Sequence, residues 1–167
     1  MMDEQTDRDI ASKRQMLRHT VAVLAYRGGK TVQNASADFA TFRASESSRT
    51  PIEILAHIGD LLDWALWMAQ GKQVWKNSIP LPWEEEVARF FNALEKLDSY
   101  LASEAPLGYP AEKLFQGPVA DALTHVGQLA FLRRMGGVPI RGENYFKAEI
   151  VSGRVGPEQS ANRVEFD

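Results

Sequence analysis

Four stretches of this chain carry apolar residues at the spacing of an α-helix, and no stretch carries the strict alternation of a strand. Leu17, Val21 and Leu24 recur on one face near the N-terminus, widened by Met16 and Val23. Ile54, Leu55, Ile58, Leu61, Leu62, Ala65, Leu66 and Met68 form the second stripe. Val87, Phe90, Phe91, Leu94, Leu97 and Leu101 form the third, and a fourth runs toward Met135. A length of 167 residues suits one core. The pattern predicts an all-α fold, most simply a four-helix bundle over residues 1–137, with an irregular C-terminal arm over 138–167 packed on it.

Local signals set the expected boundaries. The first helix is expected from Asp3 to Arg27, closed by Gly28-Gly29. Residues 30–48 read as a loop with room for a short helical turn, pinned to the core by Phe39 and Phe42. Thr50-Pro51-Ile52-Glu53 is the clearest start in the chain. Threonine stands at the N-cap, proline at the first helical position, and glutamate at the third, completing a capping box. Gly71 is expected to close that helix, and Trp75 to Pro82 to connect it to the next. The third helix is expected from Trp83 to Ser103, its Glu84, Glu85 and Glu86 facing the positive helix end. The fourth is expected from Pro118, with Gly117 as N-cap, to Met135. In the arm, Gly142, Gly153, Gly156, Pro139 and Pro157 argue against another long helix.

Composition narrows the function. A net charge of −3 lacks the basic footprint that nucleic-acid binding needs, so no nucleic-acid partner is expected. The longest apolar stretch contains His57, Asp60 and Asp63 and is no membrane span. The acidic N-terminus is unlike a secretory signal, which places the protein in the cytoplasm. With no cysteine, a metal site here must use His, Asp, Glu or water.

Only three histidines are present, His19, His57 and His125. His57 shares the stripe of Ile54, Leu61 and Trp64, so it faces inward. Asp121 and His125 are four apart and lie on one helix face, a spacing that lets a carboxylate and an imidazole chelate one ion. Gln128 follows His125 by three and suits a second shell, where it orients a ligand or a bound water. The plain structural alternatives stay open on these residues alone. Asp121 is also a first-turn acid facing the helix end, and either histidine is also a satisfied boundary or core imidazole. His19 reads as a boundary residue, and Asp60 and Asp63 do not share His57's face closely enough to be ligands. Trp64, Trp67, Trp75 and Trp83 read as core and interface anchors, and Tyr145 and Arg141 as packing and surface charge unless the arm folds over the metal end.

Leu55-Ala56-His57-Ile58-Gly59-Asp60-Leu61 resembles the second-helix motif of the DinB-like (YfiT-like) metalloenzyme superfamily. His125-Val126-Gly127-Gln128-Leu129, followed by Leu132-Arg133-Arg134-Met135-Gly136, resembles that family's fourth-helix H-x-x-x-H-R-G-Q motif. The resemblance spans roughly residues 3–137. It implies His57 and His125 as the first and last metal ligands, with Asp121 at the middle position where histidine is usual and Val126 where arginine is common. Two histidines and one carboxylate suit zinc, nickel, ferrous iron or manganese. Characterised relatives include S-transferases that use bacillithiol or mycothiol and a mycothiol-dependent maleylpyruvate isomerase, in which the metal is thought to deprotonate the thiol. The resemblance thus implies a divalent metal, a low-molecular-weight thiol or water to activate, a small-molecule substrate and a homodimer. The alternative is a non-catalytic helical bundle that acts through dimer or partner binding without metal.

Overall fold

The computed structural model describes residues 4–166. The expected helix start at Asp3 and the last residue of the arm, Asp167, lie outside them. The described chain is mostly helical, with almost no strand. Helix α1 spans Glu4–Val32, α2 Ala37–Ala40, α3 Pro51–Ala69 and α4 Trp83–Ala102. A short α5, Ala111–Leu114, leads through a π-helical segment, Phe115–Val119, into α6, Ala120–Met135. The long helices close around one core. α3 packs most extensively on α4 and also on α6, while α1 lies against both α4 and α6. Leu24, Leu55, Ile58, Leu62, Phe90, Leu94, Leu97 and Leu129 fill the interior, nearly or fully inaccessible to solvent.

The start of α3 is as its sequence dictates. Thr50 Oγ1 accepts from the Glu53 amide, and the Glu53 carboxylate accepts from the Thr50 amide at 2.7 Å. Two otherwise unpaired amides of the first turn are thereby satisfied. The other end closes as expected too, with Gly71 at φ 80°, the left-handed conformation that ends many helices. The short α2 is capped by Ser36. Phe39 is buried with its ring edge-on to Trp83, and Phe42 packs against the core.

Two expected boundaries are corrected. Gly28-Gly29 does not end α1, which continues to Val32. The reason lies on α4. A Cβ built on Gly28 would stand 2.5 Å from the tip of the Phe90 ring, and one on Gly29 would stand 3.3 Å from that of Phe91. The glycines are places where α4 aromatics approach the α1 backbone, and the helix passes through them. Gly28→Ala therefore displaces a ring that is buried in the core. The expected result is a loss of about 1–3 kcal/mol of stability, read by urea unfolding. A variant as stable as the parent would mean that Phe90 can move aside.

The second correction concerns the fourth long helix. Gly117 is not its N-cap, because the helical path begins six residues earlier at Ala111. Gly117 instead sits at a kink, with φ −88° and ψ −105°, just before Pro118. Proline lacks an amide hydrogen and its ring clashes with the carbonyl four residues back, so a helix carrying it inside must bend there. The chain absorbs the bend in the π-helical segment. This sets the direction in which the following turn, with Asp121 and His125, leaves the kink.

The arm after α6 holds only a two-residue antiparallel pair, β1 (Gly142–Glu143) with β2 (Glu165–Phe166), and a 3₁₀ turn at Tyr145–Lys147. It lies along α1. Glu143 is buried and receives hydrogen bonds from the Tyr26 hydroxyl and from Lys30 Nζ, the latter at 2.9 Å. Lys30 also meets Glu165 at 2.8 Å. Burial and the adjacent Glu143 carboxylate push the Tyr26 phenol well above its ordinary value. No helix among the described residues is long and apolar enough to cross a membrane.

Candidate metal centre

His57, Asp121 and His125 come together where α3 faces the first two turns of α6. One ligand atom from each lies within 4.8 Å of the other two. His125 Nε2 is 3.5 Å from one Asp121 carboxylate oxygen, and His57 Nε2 is 3.9 Å from the other. The two imidazoles meet edge to face, with ring centroids 4.7 Å apart. Ligands about 2.1 Å from a tetrahedral ion stand about 3.4 Å from one another, so the shorter separation is close to that spacing and the longer ones need a small closure. The group is able to hold a metal ion.

The protonation of the rings supports that capacity. His125 Nδ1 is 2.8 Å from Gln128 Oε1, and a carbonyl oxygen only accepts. Nδ1 therefore carries the hydrogen, and Nε2, the atom nearer Asp121, is the one left to ligate in the neutral ring. This is the outer contact by which proteins fix the tautomer and orientation of a ligating histidine. Gln128 thus acts on His125 itself, one turn along the same helix. Burial holds His57 below its ordinary pKa, helped by the nearby His125 and Arg49. Asp121 and Asp60 pull the other way and are outweighed. The shift favours the neutral ring, the state in which imidazole ligates.

The two imidazoles line a cavity of about 810 Å³ that opens to solvent. Its other walls are Ala44, Ser48 and Arg49 from the α2–α3 loop, Ile54 from α3, and Thr124, Gly127, Gln128, Phe131 and Leu132 from α6. None of these residues belongs to the arm. Tyr145 lies instead against α1, edge-on to Tyr26 and beneath the Arg27 guanidinium, while Arg141 approaches Glu165 at 3.7 Å. His19 is exposed on α1 and takes no part in the group.

Asp60 and Asp63, one and nearly two turns beyond His57, are not among the converging ligands. Both carboxylates bind Arg89 of α4, at 2.6 and 2.9 Å. Asp60 also accepts from the amide and hydroxyl of Ser78 in the connector. That tie fastens the connector, whose Trp75 stands edge-on to both His57 and Trp64 with centroids 5.7 Å from each. Of the four tryptophans only Trp83 is buried in the core, and Trp75 flanks the candidate site. The sequence contained this link only as an acid three residues after His57.

Compared with family models, with curated proteins and with solved structures, the chain finds no match.

Proposed function

We propose that the chain is a metal-dependent enzyme of the DinB-like kind, built as a four-helix bundle, in which His57, Asp121 and His125 hold one divalent ion. The convergence of three ligand atoms within 4.8 Å beside an open cavity of about 810 Å³ is the observation that carries this reading. Two imidazoles and one carboxylate leave coordination positions for a small molecule, the arrangement of a catalytic rather than a purely structural site. A divalent cation there lowers the pKa of a thiol or a water that it binds and so supplies a nucleophile at neutral pH.

The chain's own residues have distinct parts in this scheme. His57 and Asp121 come from different helices, so the site depends on the packing of α3 against α6. Gln128 holds the His125 ring with Nε2 directed inward. Trp75 covers one edge of His57 and limits its movement. The cavity walls supply apolar contact for a substrate and exclude part of the solvent. A small-molecule substrate and a second copy of the chain as partner belong to the same proposal.

Elemental analysis tests it, on protein purified without a metal-binding tag and run beside His57→Ala and His125→Ala. The expected result is about one equivalent of zinc, nickel, iron or manganese in the parent, lost in both variants. No metal after equilibration with each ion would overturn the proposal and favour a bundle that acts through protein contacts.

A further inference from the structure

The cavity has an electrostatic feature that metal binding alone does not use. Its wall contains one permanently charged side chain, Arg49, and no carboxylate. Arg49 is exposed and makes no hydrogen bond or ion pair with any described residue. Yet the segment carrying it is fastened. Arg43 donates to the Ser48 carbonyl and approaches Glu53 at 3.6 Å. The Ser48 hydroxyl donates to the Ser45 carbonyl at 2.9 Å and accepts from the Ser45 amide at 3.0 Å. The next residue, Thr50, is held by the capping box of α3. Glu53 feels the charge of Arg49 without pairing with it, its carboxylate being taken by Thr50 and Arg43. A guanidinium on a secured turn, without an internal anion, faces the same cavity as the two imidazoles.

The rest of the wall is apolar where a ligand body would lie. Ile54 and Leu132 are buried beneath it, and Phe131 stands 62% exposed beside it. A volume of about 810 Å³ is that of a small-molecule site. Charge points the same way. A divalent ion on one aspartate leaves a single positive charge, and Arg49 adds another. A guanidinium takes a carboxylate in a two-pronged hydrogen-bonded pair.

We propose that this cavity takes a small carboxylate with an apolar body, the carboxylate on Arg49, the body against Phe131, Ile54 and Leu132, and the far end at His57 and His125. The inference rests on the metal reading for the role of that far end, and on the cavity wall for the rest. Two other acceptors of an arginine, a phosphate and a sulfonate, share the charge but not the flat two-oxygen edge.

Calorimetric titration with hexanoate and with hexanamide, of equal length and unequal charge, tests the assignment. It is run on zinc-loaded and on chelator-treated protein, for the parent, Arg49→Gln and Arg49→Lys. Hexanoate is expected to bind about tenfold or more tightly than hexanamide in both preparations of the parent. The preference is expected to vanish in Arg49→Gln and to persist in reduced form in Arg49→Lys. Equal affinities for the two probes, or no binding of either at millimolar concentration, overturn the inference. A preference that needs zinc and survives Arg49→Gln also overturns it, since the carboxylate would then be on the metal, and the metal reading would stand. A preference that Arg49→Gln abolishes in a protein that takes up no zinc supports the carboxylate site and sinks the metal reading.

Discussion

Arg89→Ala is expected to cost about 3–5 kcal/mol of folding stability at neutral pH, as removal of one partner from a buried ion pair generally does. Arg89 reaches across from α4 to Asp60 and Asp63 of α3 and approaches Glu86 at 3.7 Å. Asp60 and Glu86 are both buried, at 4% and 1% exposure, so alanine leaves two carboxylates out of water with no cation between them. Ser78 still donates to Asp60 and the Leu81 amide still donates to Glu86, but neither neutralises charge. The size of the loss depends on pH in a definite direction. Burial raises the Asp60 carboxyl, but hydrogen bonds from Arg89 and Ser78 outweigh it and hold the group below its ordinary value. A carboxyl depressed in the folded state contributes stability above its unfolded pKa, about 3.9, and loses it as pH falls through the folded value. The gap between parent and variant in urea unfolding is therefore expected to be full at pH 7 and to shrink in acid below about pH 4. A gap under about 1 kcal/mol at pH 7 would mean that Arg89 is only a surface pair.

The same substitution should be felt at the candidate site. Asp60 fastens Ser78, and with it the connector that places Trp75 against His57. The network thus connects Arg89 through Asp60 and Ser78 to the connector that carries Trp75. It was not legible in the sequence. Asp60 and Asp63 sit on α3, Arg89 on α4 and Ser78 between them, and nothing in their spacing says that the two helices cross there.

What was legible follows one rule, that a feature is readable when its cause is local. The Thr50–Glu53 capping box lies within one turn, and it appears as expected. Asp121, His125 and Gln128 fall within two turns of one helix, so their shared face was readable from spacing. That His57 joins them needed the register of α3 against α6, which its place on the apolar stripe only suggested. Gly28 and Gly29 show the rule failing. Two adjacent glycines locally favour a stop, but the approach of Phe90 and Phe91 makes them packing positions within a continuing helix. Pro118 likewise favours a start, yet Ala111–Leu114 already lies on the helical path and the proline bends it. The arm after α6 holds only short regular elements among the described residues. Its anchor, a buried Glu143 between Tyr26 and Lys30, joins residues more than a hundred positions apart and left no sequence signal.

Asp121→Ala separates the metal reading from its alternative more sharply than any other single substitution. The Asp121 side chain is 49% exposed, so removing it should change the stability of the chelator-treated protein by no more than about 0.5 kcal/mol. Metal reverses that indifference. An ion that binds only the folded chain stabilises it by about 2.7 kcal/mol at a hundred times its Kd. The parent is expected to gain about that much on adding zinc, measured by urea unfolding with and without chelator. Asp121→Ala is expected to gain little at the same zinc concentration, because it retains two imidazoles and loses the only anionic ligand. Asp121→His should recover most of the gain, since a third imidazole from the same helix turn replaces the carboxylate with another competent ligand. A non-catalytic bundle makes the opposite forecast. There Asp121 serves only as a neighbour of His57 and His125, so zinc shifts neither protein and alanine, by removing a charge that raises the His57 pKa, lowers it further. Equal gains in parent and Asp121→Ala would remove Asp121 from the ligand set, and no gain in either would leave the convergence of ligand atoms to the packing of α3 on α6 alone.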